Sequence, residues 1–139
     1  LPYGEFIIDS SEDVALFAGG TGVSAFTAYV ESLPLDFPHK VYLFYGARNP
    51  SLLIYHNLME KLKLHNPQLE IHYFVEDDDS SLGPLIQGYL AIDRAWPFIQ
   101  YPMETTYYLS GPPIMLETLK KDLLQKNIIS DRIKIDSWG

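Results

Sequence analysis

Gly19, Gly20 and Gly22 stand where an apolar run ends and a helix-like stretch begins, the place in this chain best suited to chemistry. The run Val14-Ala15-Leu16-Phe17-Ala18 contains no polar residue, the pattern of a strand covered on both faces in a parallel sheet. Glycines after such a strand let the backbone turn tightly and approach a ligand closely. Val23–Leu33 reads as a helix, whose free N–H groups and positive dipole end would face whatever lies over the turn. That chemistry is the cradling of a phosphate, and it points to a nucleotide.

Gly20-Thr21-Gly22-Val23-Ser24-Ala25 matches the form G-x-G-x-x-A, the dinucleotide fingerprint of the common dehydrogenases. The fingerprint also asks for an acid at the end of the second strand to hold the adenosine ribose. Here that position reads Tyr45-Gly46-Ala47-Arg48-Asn49, with no acid. A P-loop fails too, because no Lys-Ser or Lys-Thr follows the glycines. Glycines that merely pack a helix against a strand are the plain structural alternative.

The elements that must position this turn follow an alternating order. Apolar strand patterns lie at Val14–Ala18, Val41–Tyr45, Glu70–Val75, Thr106–Ser110 and Arg132–Ile135. Helical patterns lie between them at Val23–Leu33, Leu52–Lys63, Pro84–Asp93 and Ile114–Lys126. The expected fold is α/β: a Rossmann-like, doubly wound, parallel five-stranded sheet with helices on both faces. Leu52, Tyr55, Leu58, Met59 and Leu62 form an apolar stripe at helical spacing, and Pro112 and Pro113 suit the opening of the last helix. Glu76-Asp77-Asp78-Asp79-Ser80-Ser81 is a polar loop at a carboxyl strand end, where such sheets bind ligands. Arg94–Glu104 is an aromatic, proline-bearing connection of irregular pattern.

A length of 139 residues, 47% of them hydrophobic, suits one globular domain with a real core. The net charge of −8 argues against nucleic acid or an anionic membrane as partner. The absence of cysteine excludes disulfides, iron–sulfur clusters and thiolate metal sites from this chain. No apolar run approaches the roughly 20 residues that span a bilayer, and no signal-peptide pattern is present, so a cytoplasmic setting is expected. His39, His56, His65 and His72 are scattered, and none is expected to be a metal ligand or a base. Leu1 is not Met, and the chain reads as part of a longer polypeptide.

Four segments in order resemble the ferredoxin–NADP reductase family of flavoprotein pyridine-nucleotide reductases. Val14–Ser24 is similar to its pyridine-nucleotide motif, and Val41–Asn49 with Leu52–Tyr55 to its second strand and following helix. Tyr108-Leu109-Ser110-Gly111-Pro112-Pro113-Ile114-Met115 is similar to its nicotinamide-side motif. Pro2-Tyr3-Gly4-Glu5-Phe6 resembles the seam at which a flavin-binding barrel hands over to this domain.

The resemblance implies that residues 1–8 end an upstream flavin-binding barrel or linker and that 9–139 form the pyridine-nucleotide-binding domain. It implies NADH or NADPH as the bound nucleotide and FAD or FMN on a domain outside this chain. Hydride would pass to the flavin, and electrons onward to an iron–sulfur, haem or flavin acceptor. Hydride transfer demands position rather than a nucleophile or metal. Gly20, Thr21 and Gly22 are expected to face the pyrophosphate, with Thr21 as hydroxyl donor or helix N-cap, and Gly19 and Val23 belong to the same cofactor site. Gly111 and Pro112 shape the nicotinamide slot or make a plain strand-to-helix turn, Met115 belongs to the same cofactor site, and Ser110 stands where many relatives carry a cysteine. Arg48 pairs a phosphate, stacks on adenine or is solvated; Tyr55 stacks on adenine or packs in the core. Asp136 and Trp138 match an acid–x–aromatic ending that neighbours Ser110 and the flavin. The acids after the third strand, Glu76, Asp77, Asp78 and Asp79, favour NADH, since a 2′-phosphate beside them is repelled, while Arg48 pulls the other way; a solvated surface loop is the plain alternative for the acidic run. A non-catalytic nucleotide-sensing module is the alternative. A dehydrogenase acting directly on an organic substrate lacks any Tyr-x-x-x-Lys or His/Asp set.

Overall fold

The computed structural model describes residue 8 and residues 11–77 and 82–137. The seam motif at 2–6, Asp78, Asp79 and Trp138 therefore lie outside the described residues.

The chain forms one parallel sheet in the order β4-β3-β2-β1-β5-β6. Its strands are β1 (Asp13–Gly19), β2 (Val41–Ala47), β3 (Leu69–Val75), β4 (Ile86–Gln87), β5 (Thr105–Gly111) and β6 (Ile133–Ser137). The helices are α1 (Ser24–Glu31), α2 (His56–His65), α3 (Ile92–Ala95) and α4 (Pro113–Gln125). β1 lies inside the sheet, in register with β2 through Leu16↔Leu43 and with β5 through Leu16↔Tyr108. Its side chains alternate between two cores, as the strand period of two requires. Val14, Leu16 and Ala18 join Phe26 and Val30 of α1 and Met59 of α2. Ala15 and Phe17 join Ile92 and Ala95 of α3 and Leu116, Leu119 and Leu123 of α4. Phe17 and Phe44 meet in this second layer with ring centroids 4.8 Å apart.

Among the described residues the sheet has six strands, not the expected five. The helix expected over Pro84–Asp93 is replaced by β4, a turn and the short α3. Gly83 and Gly88 hold φ of 96° and 121°, outside the helical region, and the Gly88 N–H bonds the Val75 carbonyl at 2.7 Å. Leu90 is buried, and a Cβ on Gly46 would stand 2.8 Å from its Cβ, so the segment lies close on β2. The second helix starts at His56, after a separate 3₁₀ turn over Pro50–Leu52. Leu52, assigned to its apolar stripe, is exposed at the sheet's ligand end.

α4 opens with Pro113 as its first residue, where the missing N–H is no loss. It closes in a Schellman turn: Asn127 has φ 68°, and the N–H groups of Asn127 and Ile128 bond the carbonyls of Leu124 and Leu123. Lys126 ties this end to α3, bonding Asp93 at 2.9 Å and lying 5.0 Å over the Trp96 ring. The aromatic connection from 96 to 104 is pinned by buried phenols. Tyr107 donates to the Pro102 carbonyl at 2.8 Å, and Tyr42 accepts the Gln100 N–H at 3.1 Å. Burial pushes both phenol groups above their ordinary range, so they stay neutral. Among the described residues no helix is long and apolar enough to cross a membrane.

Candidate functional site: a cleft at the strand ends

The chain leaves β1 toward α1 and β2 on one side and returns to β5 on the other, so a crevice opens beyond the carboxyl end of β1. β1 ends at Gly19, and Gly20 turns with φ 57° into a single 3₁₀ turn, Gly20–Val23, that runs into α1. Among the described residues no side chain caps this turn or α1. Thr21 is exposed and is not an N-cap; Ser24 Oγ instead donates to the Thr21 carbonyl at 3.0 Å.

Gly22 shows why the turn sits where it does. A Cβ there would stand 2.6 Å from the Ser110 carbonyl carbon and 2.9 Å from the Gly111 nitrogen, and nearer still to the Ser110 oxygen. The turn is thus seated directly on the backbone of β5. Gly19 lies against Met115 in the same way, with Cε 2.7 Å from where its Cβ would be.

A cleft of about 570 Å³ lies over this junction. Of the residues expected at a cofactor site, Gly19, Gly20, Arg48, Pro112 and Met115 line it. Gly22 and Val23 are buried beneath the turn, and Gly111 lies between Met115 and Gly19. Ser110 is fully buried, behind the lining rather than in it. Its register partner is Asp136 on β6, so the two residues sit side by side at the end of the sheet. Asp136 Oδ2 is buried without a hydrogen-bond partner among the described residues. Tyr55 does not line the cleft; it packs against the α1–α2 core, and its N–H reaches the Tyr45 hydroxyl at 3.4 Å. No histidine lines the cleft.

Among the described residues, Arg48 and Glu76 are the only charged ones that line the cleft. They stand at the ends of β2 and β3, tied by the Asp77 N–H to the Arg48 carbonyl at 2.8 Å. Sequence reasoning did not place Tyr89, Leu90, Thr118 or Leu119 here. Tyr89 and Leu90 fell within the mistaken helix, and Thr118 and Leu119 lie a turn deeper in α4 than the motif that drew attention.

A glycine turn on β1, an apolar slot beside β5 and a charged rim on β2 and β3 define a nucleotide-binding α/β domain. The model of the oxidoreductase NAD-binding domain family matches residues 16–121, and the chain belongs to that family. It is 25% identical, over 99% of its length and 36% of the relative's, to one component of the Na(+)-translocating NADH-quinone reductase of Methylococcus capsulatus. It is 27% identical, over 96% of its length and 47% of the relative's, to NADH-cytochrome b5 reductase 2 of Candida glabrata. The FAD/NAD-binding domain of a nitric oxide dioxygenase from Vibrio cholerae shares the fold with a TM-score of 0.83. That likeness covers 97% of this chain and 54% of the other at 18% identity. The chain thus spans between a third and a half of the length of these curated relatives.

Proposed function

We propose that this domain binds NADH and presents its nicotinamide to a flavin carried by an upstream domain of the same polypeptide. The observation that carries the reading is the seating of the glycine turn on Ser110–Gly111, which puts phosphate cradle and apolar slot in one cleft. Gly20 fits a phosphate: a Cβ there would meet no atom within 4 Å, so its surface is open toward a ligand. The pyrophosphate takes the N–H groups of the turn. The nicotinamide lies by Gly111, Pro112 and Met115, where the small residues let a flat ring close to the sheet.

Acceptance of the hydride and its release as single electrons is chemistry that a flavin supplies. This chain's residues bind, orient and exclude water. Ser110 and Asp136 support the floor of the nicotinamide end, and Trp138 covers it by resemblance alone. Residues 1–8 are the hand-over from the flavin domain, and the acceptor is an iron–sulfur, haem or flavin protein met in the cytoplasm. NADH is favoured over NADPH because Glu76 lines the cleft and would face a 2′-phosphate, and because the relatives named above are NADH enzymes. The sensing alternative is not favoured, since the matched family is one of oxidoreductases.

Calorimetric titration of the chain with NADH, NADPH and ADP-ribose tests this. Saturable one-to-one binding with NADH tighter than NADPH is expected; no binding of any of the three overturns it.

A further inference from the structure

The outer face of α4 carries large apolar side chains where a solvated helix would be polar. Ile114 is 80% exposed and Leu124 43%, one toward each end of the helix. Glu117 and Lys121 stand between them, and both are exposed. Ile114, Glu117, Lys121 and Leu124 recur at steps of three, four and three, the spacing of a coiled-coil seam. Among the described residues neither Glu117 nor Lys121 has an ion-pair partner within this chain. The Thr118 hydroxyl, next to the stripe, donates to the Ile114 carbonyl at 3.2 Å and is satisfied within the helix. A hollow of about 420 Å³ on this face is lined by Glu117, Lys120, Lys121, Leu124 and Gln125. The first four stand at i, i+3, i+4 and i+7, the four corners of a hole that takes a knob from a facing helix.

The stripe is its own complement when reversed. Two copies of α4 laid antiparallel, across a twofold axis level with Leu119, set Ile114 against Leu124 and Glu117 against Lys121. The symmetry makes each contact twice, so every apolar residue of the stripe meets an apolar one and every charge its opposite. Net charge points the same way. The chain carries −8, so two copies repel unless the faces that meet are neutral. α4 holds two acids, Glu117 and Asp122, and two lysines, Lys120 and Lys121, and is neutral. We propose that the outer face of α4 is the interface of a homodimer, in which α4 pairs antiparallel with α4 of a second copy. This pairing is independent of the nicotinamide-nucleotide reading above. Because α4 begins at the cleft, the pair holds the two clefts at opposite ends. Two helices of this length cover less than the roughly 800 Å² per partner of a standard interface, so the dimer is weak and forms at about 0.1 mM chain.

Sedimentation equilibrium of the chain between about 10 µM and about 1 mM tests this. The weight-average mass of the wild type is expected to climb from one chain toward two. Glu117→Lys sets lysine against Lys121 in both contacts, and Lys121→Glu sets acid against Glu117. Each is expected to weaken dimerisation tenfold or more. Mixed in equal amounts, these two variants recover both opposite-charge contacts, and a heterodimer within threefold of the wild-type affinity is expected. One chain carrying both reversals is expected to dimerise by itself. Leu124→Ala removes an apolar contact at each end and is expected to weaken dimerisation severalfold. Glu117 and Lys121 are exposed, so the melting temperature is expected to hold, and recovery on mixing is a result that a misfolded variant does not give. A wild type that stays monomeric at about 1 mM overturns the proposal and leaves this face to an unlike protein or an upstream domain. A wild-type dimer that both charge reversals leave intact overturns it by placing the interface elsewhere. A mixture of the two variants that stays monomeric overturns it as well.

Discussion

Replacing Gly22 by alanine tests the seating of the phosphate turn on β5. The added Cβ would lie 2.6 Å from the Ser110 carbonyl carbon and 2.9 Å from the Gly111 nitrogen, both backbone atoms that no rotamer change can move. Ordinary contact begins near 3.4 Å, so turn and strand must separate by roughly 0.8 Å or more. Overpacking of this kind costs about 2 kcal/mol, within the 1–3 kcal/mol usual for an inserted methyl. For a chain of this size that is a fall of roughly 8 °C in melting temperature. The same displacement carries the N–H groups away from the phosphate, and an ångström-scale misplacement costs on the order of tenfold or more in binding or rate. Gly20→Ala is the control. Its Cβ meets nothing within 4 Å, and only its φ of 57° opposes the change, by about 1 kcal/mol. Urea unfolding with linear extrapolation and calorimetric titration of NADH give both quantities. The expected order of damage is Gly22→Ala well beyond Gly20→Ala in stability, with NADH weakened at least tenfold in the former. Gly22→Ala within 0.5 kcal/mol of wild type and within twofold in NADH affinity would refute the close seating.

Glu76→Gln removes the carboxylate from the cleft rim, and relief of one close like-charge pair is worth about 1 kcal/mol, so the NADPH/NADH affinity ratio is expected to rise roughly fivefold; an unchanged ratio would remove Glu76 from the choice of nucleotide. Asn127→Gly relaxes the left-handed residue of the Schellman turn and is expected to stabilise the chain by about 0.5 kcal/mol in urea unfolding. Glu60 feels two opposed effects: burial raises its pKa, but hydrogen bonds from Lys63 and Tyr73 outweigh that and hold the carboxyl below its ordinary range. Its stabilising effect is therefore present above the ordinary carboxylate pKa and is lost as pH falls below it. Glu60→Gln is expected to flatten the acid limb of a stability-versus-pH curve below about pH 4.5 and leave its slope near pH 7 unchanged.

β1 and β2 were legible because a strand buried on both faces reads as a continuous apolar run, Val14–Ala18 and Val41–Tyr45; β3, β5 and edge strand β6 showed as shorter strand-like stretches between helical patterns. β4 was not. Leu85, Ile86, Tyr89 and Leu90 recur at spacings that mimic a helix, and two residues of strand are fixed by pairing with Phe74 and Val75 rather than by their own pattern. The glycine turn was legible because Gly19, Gly20 and Gly22 are needed for close approach to Met115, an open mouth and Ser110 in turn. The rest of the site depended on strand order. That Asp136 lies beside Ser110 was expected by resemblance alone and comes about through β6 pairing with β5; that Tyr89 shares a cleft with Arg48 follows from β4 lying beyond β3. Neither distance along the chain nor residue type carries that information. Gly88 was the one local signal, since a glycine inside an apparent helix weakens the helical reading.

The most direct measurement of the central claim is a titration of NADH into the isotope-labelled chain, followed through its backbone amide resonances. Binding in the cleft is expected to move Gly19–Val23, Arg48, Glu76 and the N–H-bearing residues of Gly111–Met115 together along one saturable curve. Shifts that fail to saturate would contradict a nicotinamide-nucleotide site at the ends of β1 and β5. So would shifts gathered on the opposite end of the sheet, at the hollow lined by Glu12, His39 and Arg132.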